Sequence, residues 1–348
     1  MSGSLFVWVP VLLASVWAAH WGAERLSHPL QKLRRGWGIS AAAGGSFVGL
    51  TAASPEIGIN LTSAVRGVGD IGLGAMLGSN IVAIPIMVTT AYVATRKQRL
   101  GEDVGGHAGH AGHLREHRLA VDPAAVTVQA LPYLAIIGVF ALLTLPAPWR
   151  GLQPVDGWIL LLAYLAYLAQ ALLRGRQDPQ EVEWKGRERW MAATGVGAIA
   201  VGAYFTVFAT EKIVSALGIP RIVGGLFITA PMAALPEVFA TWSVARSGQV
   251  GSAITSVIGD HAVTMTIAFI PLTVLGMQVE DFRLFWVSLA FVALMPALYA
   301  GFIHFGGKGG KHGFRRWHLF AFGAAYLAYI ALVLFWIQPS AGGPDGGG

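Results

Sequence analysis

The 348-residue chain contains no cysteine, which excludes disulfides, thiolate metal centres and cysteine nucleophiles. Charge is scarce as well. Only 12% of the residues are Asp, Glu, Lys or Arg, whereas a soluble domain carries roughly a quarter. What replaces the charge is apolar: 55% of the residues are hydrophobic and the mean hydropathy is +0.59. Apolar stretches near the roughly 20 residues needed to cross a bilayer core recur along the chain. The sequence pI near 9.7 therefore points to cytoplasmic loops facing anionic lipid, and not to nucleic acid. The first run, Leu5 to about Ala23, lacks a basic leader and a cleavage site, so it reads as a retained transmembrane helix and not as a removed signal peptide.

Reading apolar runs against charged punctuation gives ten spans, near 4–23, 37–65, 69–95, 124–146, 156–173, 190–210, 219–245, 249–276, 284–304 and 316–338. The expected fold is an all-α polytopic membrane protein of about ten helices. Of the 24 basic residues, 19 fall in the loops after the odd-numbered spans and 5 in those after spans 2, 4, 6 and 8. The positive-inside rule then places both termini outside an inner membrane. The expected organisation is a first half in 1–100 carrying repeat 37–95, a cytoplasmic His-rich loop 96–123, and the rest of that half in 124–173. A connecting loop 174–189 leads to a second half, 190–338, carrying repeat 219–276, and a flexible tail 339–348 follows. Trp149, Trp158, Trp184, Trp190 and Trp317 stand at span edges as interfacial anchors.

Three acids break the pattern of charges confined to loops: Glu56, Glu237 and Asp260. A carboxylate at membrane depth costs about 2.5–3.5 kcal/mol on insertion scales, so such residues face a cavity and mark an ion path. The alternative is a protonated carboxyl bonded inside the bundle. The acids also belong to a repeat. An offset of 181 residues lays Gly44–Ala83 over Gly225–Thr264 without a gap, and sets Pro55-Glu56 on Pro236-Glu237 and Ser79-Asn80 on Asp260-His261. Five spans separate the copies, an odd number, so the repeat is inverted. Inverted repeats place a binding site near the midplane on discontinuous helices. Pro55 and Pro236 are the expected helix breakers, since each lacks an N–H and frees a backbone oxygen beside its Glu.

The segments Gly49-Leu50-Thr51-Ala52-Ala53-Ser54-Pro55-Glu56 and Gly74-Ala75-Met76-Leu77-Gly78-Ser79-Asn80-Ile81 resemble the alpha-repeat of the cation/calcium antiporter superfamily, which includes sodium–calcium and proton–calcium exchangers. The resemblance covers about 80 residues in the two repeat cores. It implies that Glu56 and Glu237 ligate a transported cation from opposite repeats, and that Ser79 and Asp260 occupy matching places beside them. Two departures bear on the substrate. Family hydroxyls that help form sodium sites are replaced by Ala52-Ala53 and Ala233-Ala234, and an Asn or Asp further along each repeat is replaced by Ala83 and Thr264. The oxygen shell expected around the cation is completed by Asn80 and Thr264. His261, beside Asp260, is either a proton-switching site residue or a structural hydrogen-bonding group.

The expected function is secondary active antiport by alternating access, with calcium as the first-choice divalent cation and protons or sodium as counter-ion. A transition-metal/proton antiporter using manganese or zinc is the alternative, and a gradient-dissipating channel is a further one. No enzyme is expected: there is no Ser–Lys or Cys nucleophile, and Asp260 is the only Asp inside a span. No cofactor and no obligate protein partner are inferred beyond membrane lipid and the transported ions. The loop residues His107, His110, His113 and His117 are either a metal-sensing tract or a linker that binds metal incidentally.

Overall fold

The computed structural model describes residues 2–37, 49–96, 113–114, 117–121, 126–145, 151–173, 181–246, 250–305 and 312–337. They form ten main helices. These are α1 (Ser2–Gly36), α2 (Ser54–Val65), α3 (Gly69–Ala94), α4 (Leu131–Leu143), α5 (Pro154–Leu173), α6 (Gly186–Leu217), α7 (Arg221–Arg246), α8 (Val250–Thr264), α9 (Phe282–Phe305) and α10 (Arg316–Ala331). Seven helical stretches are long and apolar enough to cross a membrane, and α4 and α5 are shorter apolar helices. For the second expected span, residues 38–48 lie outside the described set, and helix is present from residue 49 onward.

The centre of the bundle is α3. Its residues are apolar all round, with no polar face to present to water, and 94% of its most apolar stretch is buried. Such a helix belongs inside other helices. It packs chiefly against α7, and small residues permit the approach: a Cβ added at Gly78 would lie 2.6 Å from the Leu226 carbonyl oxygen. At the periphery, α1 packs along α6 far more than against any other element. Here too glycine sets the distance, since a Cβ at Gly202 would stand 2.6 Å from the Ser15 carbonyl oxygen. Two ion pairs fasten α6: Lys32 with Glu188 at 2.5 Å, and Arg66 of the α2–α3 turn with Glu211 at 2.6 Å. Outward faces carry Phe6, Trp17, Trp158, Trp190, Phe335 and Trp336, the surface expected where the solvent is lipid.

The inverted repeat persists in three dimensions. The Asn60 amide donates to the Ala268 carbonyl at 2.7 Å, and the Thr241 hydroxyl meets the Met87 sulfur at 3.0 Å. Shifting the first pair by the repeat offset, with the two copies exchanged, yields the second. The helix breaks differ from expectation in one respect. Pro55 does interrupt its span: a turn at Ala53 restarts the helix at Ser54. Pro236 does not. It sits inside a continuous helix, Ala230–Arg246, and the irregularity is a π turn at Gly225–Thr229. One proline removes a single backbone hydrogen bond, and the surrounding helix carries on. A second break, unsignalled by proline, ends α8 at Thr264, after which a 3-10 turn at Ile267–Phe269 leads into Ile270–Val274.

A small element stands outside the all-helical expectation. Strand β1 (Arg118–Ala120) pairs antiparallel with β2 (Gly313–Arg315), Leu119 facing Phe314. The ribbon joins the loop of the first half to that between α9 and α10.

Candidate functional site

The turn at Ala53 puts Glu56 in the first turn of α2, where unpaired backbone N–H groups favour negative charge. The side chain is 3% exposed, and its Oε2 has no hydrogen-bond partner among the described residues. Asp260, in the last stretch of α8, is 4% exposed, with Oδ1 likewise unpartnered. Its carboxyl is hydrogen-bonded to that of Glu237 from α7, and Glu56 stands within charge–charge range of both. The close approach is set by glycine, for a Cβ at Gly49 would lie 2.8 Å from the Gly259 carbonyl oxygen, next to Asp260. Three carboxyls within charge–charge range, with no Lys or Arg among them, keep their charges only if a cation sits between them and otherwise take up protons and become neutral.

Glu56 and Glu237 open onto one narrow cleft of about 20 Å³, room for roughly a single water or ion. Its lining carries the repeat in pairs: Ala52 with Ala233, Pro55 with Pro236, and Glu56 with Glu237, each pair one repeat offset apart. The pseudo-twofold axis therefore runs through the cleft. The opposite wall comes from outside the repeat cores: Val16, Ala19 and His20 of α1, and Thr206 of α6. Asp260 is not part of this lining and sits behind the two glutamates.

The other expected ligands are placed unevenly. Asn80 is fully buried and committed to protein. Its amide donates to the Met76 carbonyl at 2.7 Å and to the Thr264 hydroxyl at 3.0 Å, and its oxygen accepts from the Tyr133 hydroxyl at 2.6 Å. Thr264 also donates to the His261 carbonyl at 3.0 Å. In this conformation Asn80 and Thr264 tie one repeat to the other instead of offering open oxygens. The Ser79 hydroxyl donates back to Met76 at 3.1 Å, which leaves its lone pairs available. The His261 ring packs 5.7 Å from that of Tyr133, and neither of its nitrogens has a hydrogen-bond partner among the described residues. Adjacent residues on a helix point about 100° apart; Asp260 turns to the acids and His261 to α4.

Sequence reading passed over two residues here. Tyr133 was signalled only by a hydroxyl inside an apolar span, which needs a partner when buried. His20 was signalled by an imidazole four residues before Glu24, one helical turn apart; its Nε2 lies 3.3 Å from the Glu24 carboxylate.

In the cytoplasmic loop, His107 and His110 lie outside the described residues. His113 is buried, with Nε2 at 3.2 Å from the Tyr92 carbonyl and its ring edge-on to Tyr92. Nε2 of His117 lies 2.8 Å from an Arg96 guanidinium nitrogen. A guanidinium only donates, so it occupies the lone pair a metal would need there. The described members of the tract thus pack the loop against α3 and do not form an open pair of metal ligands.

Among curated proteins, none matches the chain at a significant level. Solved structures do. The sodium-calcium exchanger NCX_Mj soaked with 2.5 mM Na+ and 10 mM Sr2+ superposes with a TM-score of 0.60 at 21% identity, over 94% of this chain and 99% of that one. The form soaked with zero Na+ and Ca2+ gives 0.59 at 19% identity, over 94% and 99%. The H+/Ca2+ exchanger CAX gives 0.64 at 13% identity, over 96% of this chain and 81% of that one. At these identities the likeness speaks to fold. The family model described as sodium/calcium exchanger protein matches residues 7–173 and 189–335, both halves of the chain, and so the chain belongs to the sodium/calcium exchanger protein family, a family of membrane transporters and not of enzymes.

Proposed function

We propose that this chain exchanges a divalent cation, calcium in the first instance, for protons or sodium by alternating access around one central site. The observation that carries the reading is the convergence of Glu56, Glu237 and Asp260 from three helices of two inverted repeats, Glu56 and Asp260 buried and Glu237 partly exposed at the cleft. Carboxylate oxygens are the ligands hard divalent cations take. The two glutamates hold the cation between the repeats, Asp260 adds negative charge from behind, and Ser79 and freed backbone carbonyls supply further oxygens. Asn80 and Thr264 join this shell only after their mutual hydrogen bond opens. Competition of the counter-ion for the same carboxylates couples the two fluxes.

Protons are favoured over sodium, because the hydroxyls that would build sodium sites are Ala52, Ala53, Ala233 and Ala234 here. The structural neighbours include one named as a sodium–calcium exchanger and one as an H+/Ca2+ exchanger, so family likeness leaves both counter-ions in play. In the cell the protein spans the inner membrane with both termini extracytoplasmic. Its two five-span halves are joined by the loop 174–189, and no protein partner is required.

The test is ion uptake into proteoliposomes under an imposed pH or sodium gradient, with calcium, magnesium, manganese and zinc supplied in turn. Gradient-driven uptake abolished by Glu56→Gln or Glu237→Gln is the expected result. Undiminished exchange in both variants removes the site, and flux that dissipates a gradient without moving a counter-ion replaces the antiporter with a channel.

A further inference from the structure

We infer that α3 and α8 carry a hinge at matching positions, and that alternating access moves the helix break from one repeat to the other. The inference rests on the proposed alternating access and names the element that moves. With the repeat offset carried on without a gap, Thr266 of the second repeat falls on Pro85 of the first, and Ala262 falls on Ile81. At both places the same helical hydrogen bond is missing. In α3, Pro85 has no N–H to give the Ile81 carbonyl. Just beyond α8, the Thr266 N–H turns to the Val263 carbonyl at 3.1 Å, and its hydroxyl donates to the Ala262 carbonyl instead. A threonine that bonds back in this way bends a helix.

The two copies differ in outcome. At Thr266 the backbone leaves the helix, with φ −128° and ψ −83°. At Pro85 it does not, and α3 runs unbroken over Gly69–Ala94. One weak point present twice, bent in one copy and straight in the other, lets an inverted repeat reach two states by exchanging the conformations of its halves. Each hinge also touches the helix that carries a proposed ligand. Asn60 stands one turn after Glu56, and Thr241 one turn after Glu237. Asn60 holds the Ala268 carbonyl, two residues beyond Thr266, at 2.7 Å, whereas Thr241 meets the Met87 sulfur, two residues beyond Pro85, at 3.0 Å. A thioether sulfur is a weak acceptor, so the bent copy is gripped and the straight one is held more loosely.

Because the chain has no native cysteine, nitroxide pairs can be attached to the full-length protein in nanodiscs without background. One pair, at the exposed Val65 and Val93, reports on α3; the other, at the exposed Leu217 and Val274, reports on α8. Across Ca2+-loaded and Ca2+-free samples at acid and neutral pH, each pair is expected to show two distance populations, and the two pairs should shift in opposite senses. Pro85→Ala returns the missing N–H and favours the straight helix by up to about a hundredfold. It is therefore expected to leave the α3 pair with one population and to slow ion exchange in proteoliposomes at least about tenfold, without lowering the melting temperature. A proline with a merely structural role would not slow exchange in a protein of undiminished stability. Asn60→Ala, which releases Ala268, should shift the α8 pair toward its straight form. The proposal is overturned if both pairs show a single distance in every condition, or if Pro85→Ala exchanges ions at the parental rate. Two populations without counter-ion-driven exchange sink the antiport reading and keep the hinge. Coupled exchange with one population throughout sinks the hinge alone.

Discussion

Removing the Tyr133 hydroxyl tests how the two repeats are held together. Tyr133 and Asn80 are both fully buried, and the hydroxyl donates to the Asn80 amide oxygen at 2.6 Å. In Tyr133→Phe that oxygen keeps only the Thr264 hydroxyl at 3.3 Å, and this hydroxyl is already donating to the His261 carbonyl. Leaving a buried acceptor unsatisfied costs about 1–3 kcal/mol in soluble proteins. Within a membrane the unfolded reference also finds partners, and measured hydrogen-bond couplings average about 0.6 and reach about 1.7 kcal/mol. Full burial and the short distance place this bond toward the upper value, a shift of about 3- to 16-fold in the folding equilibrium. The assay is reversible unfolding in mixed micelles for Tyr133→Phe, Asn80→Ala and the double variant. The double variant should be no less stable than Asn80→Ala, since the hydroxyl then has nothing left to hold. Additive losses, or a Tyr133→Phe protein as stable as its parent, would refute the clamp.

Other expectations follow from single contacts. Gly78→Val drives a side chain into Leu226 and Ala230, and overpacking of this kind costs about 1–3 kcal/mol; a lowered melting temperature in detergent checks it. Asp260→Asn should alter ion selectivity and the pH profile of transport in vesicles, because it removes one of three interacting charges, and unchanged profiles would reduce Asp260 to a structural group. Arg66→Ala breaks a half-exposed pair with Glu211 and stacking on Tyr204 and Phe208. Exposed pairs contribute about 0–1 kcal/mol, so melting should fall only slightly, and a large loss would mean the contact carries more than its exposure suggests. Gly313→Ala forces a side chain onto a residue at φ 143° against the Leu119 carbonyl, which should raise hydrogen exchange in the β1–β2 ribbon while leaving α3 protected.

How far the sequence carries can be judged residue by residue. The membrane as solvent, the ten spans and the pairing of Glu56 with Glu237 were all readable, because hydrophobic length and an ungapped repeat are linear properties of the chain. The position of the helix breaks was only half readable. Proline marks a missing donor, yet Pro236 is absorbed by its helix while α8 breaks without any proline. The roles of Asn80, Thr264 and His261 were not readable, since a motif supplies a residue type but not the partner that occupies it. Asn80 is taken by Tyr133 from a span outside the repeat, and His261 is turned to the same tyrosine by the helical step from Asp260.

The sequence by itself determined the solvent, the span count and the inverted symmetry, because each follows from local composition and spacing along one dimension. Only the tertiary structure decided which polar groups remain open to an ion. That depends on crossings such as Gly49 on Gly259, which bring carboxyls distant in the chain together, and on α1 and α6 bringing His20 and Thr206 to the cleft that Glu56 and Glu237 line.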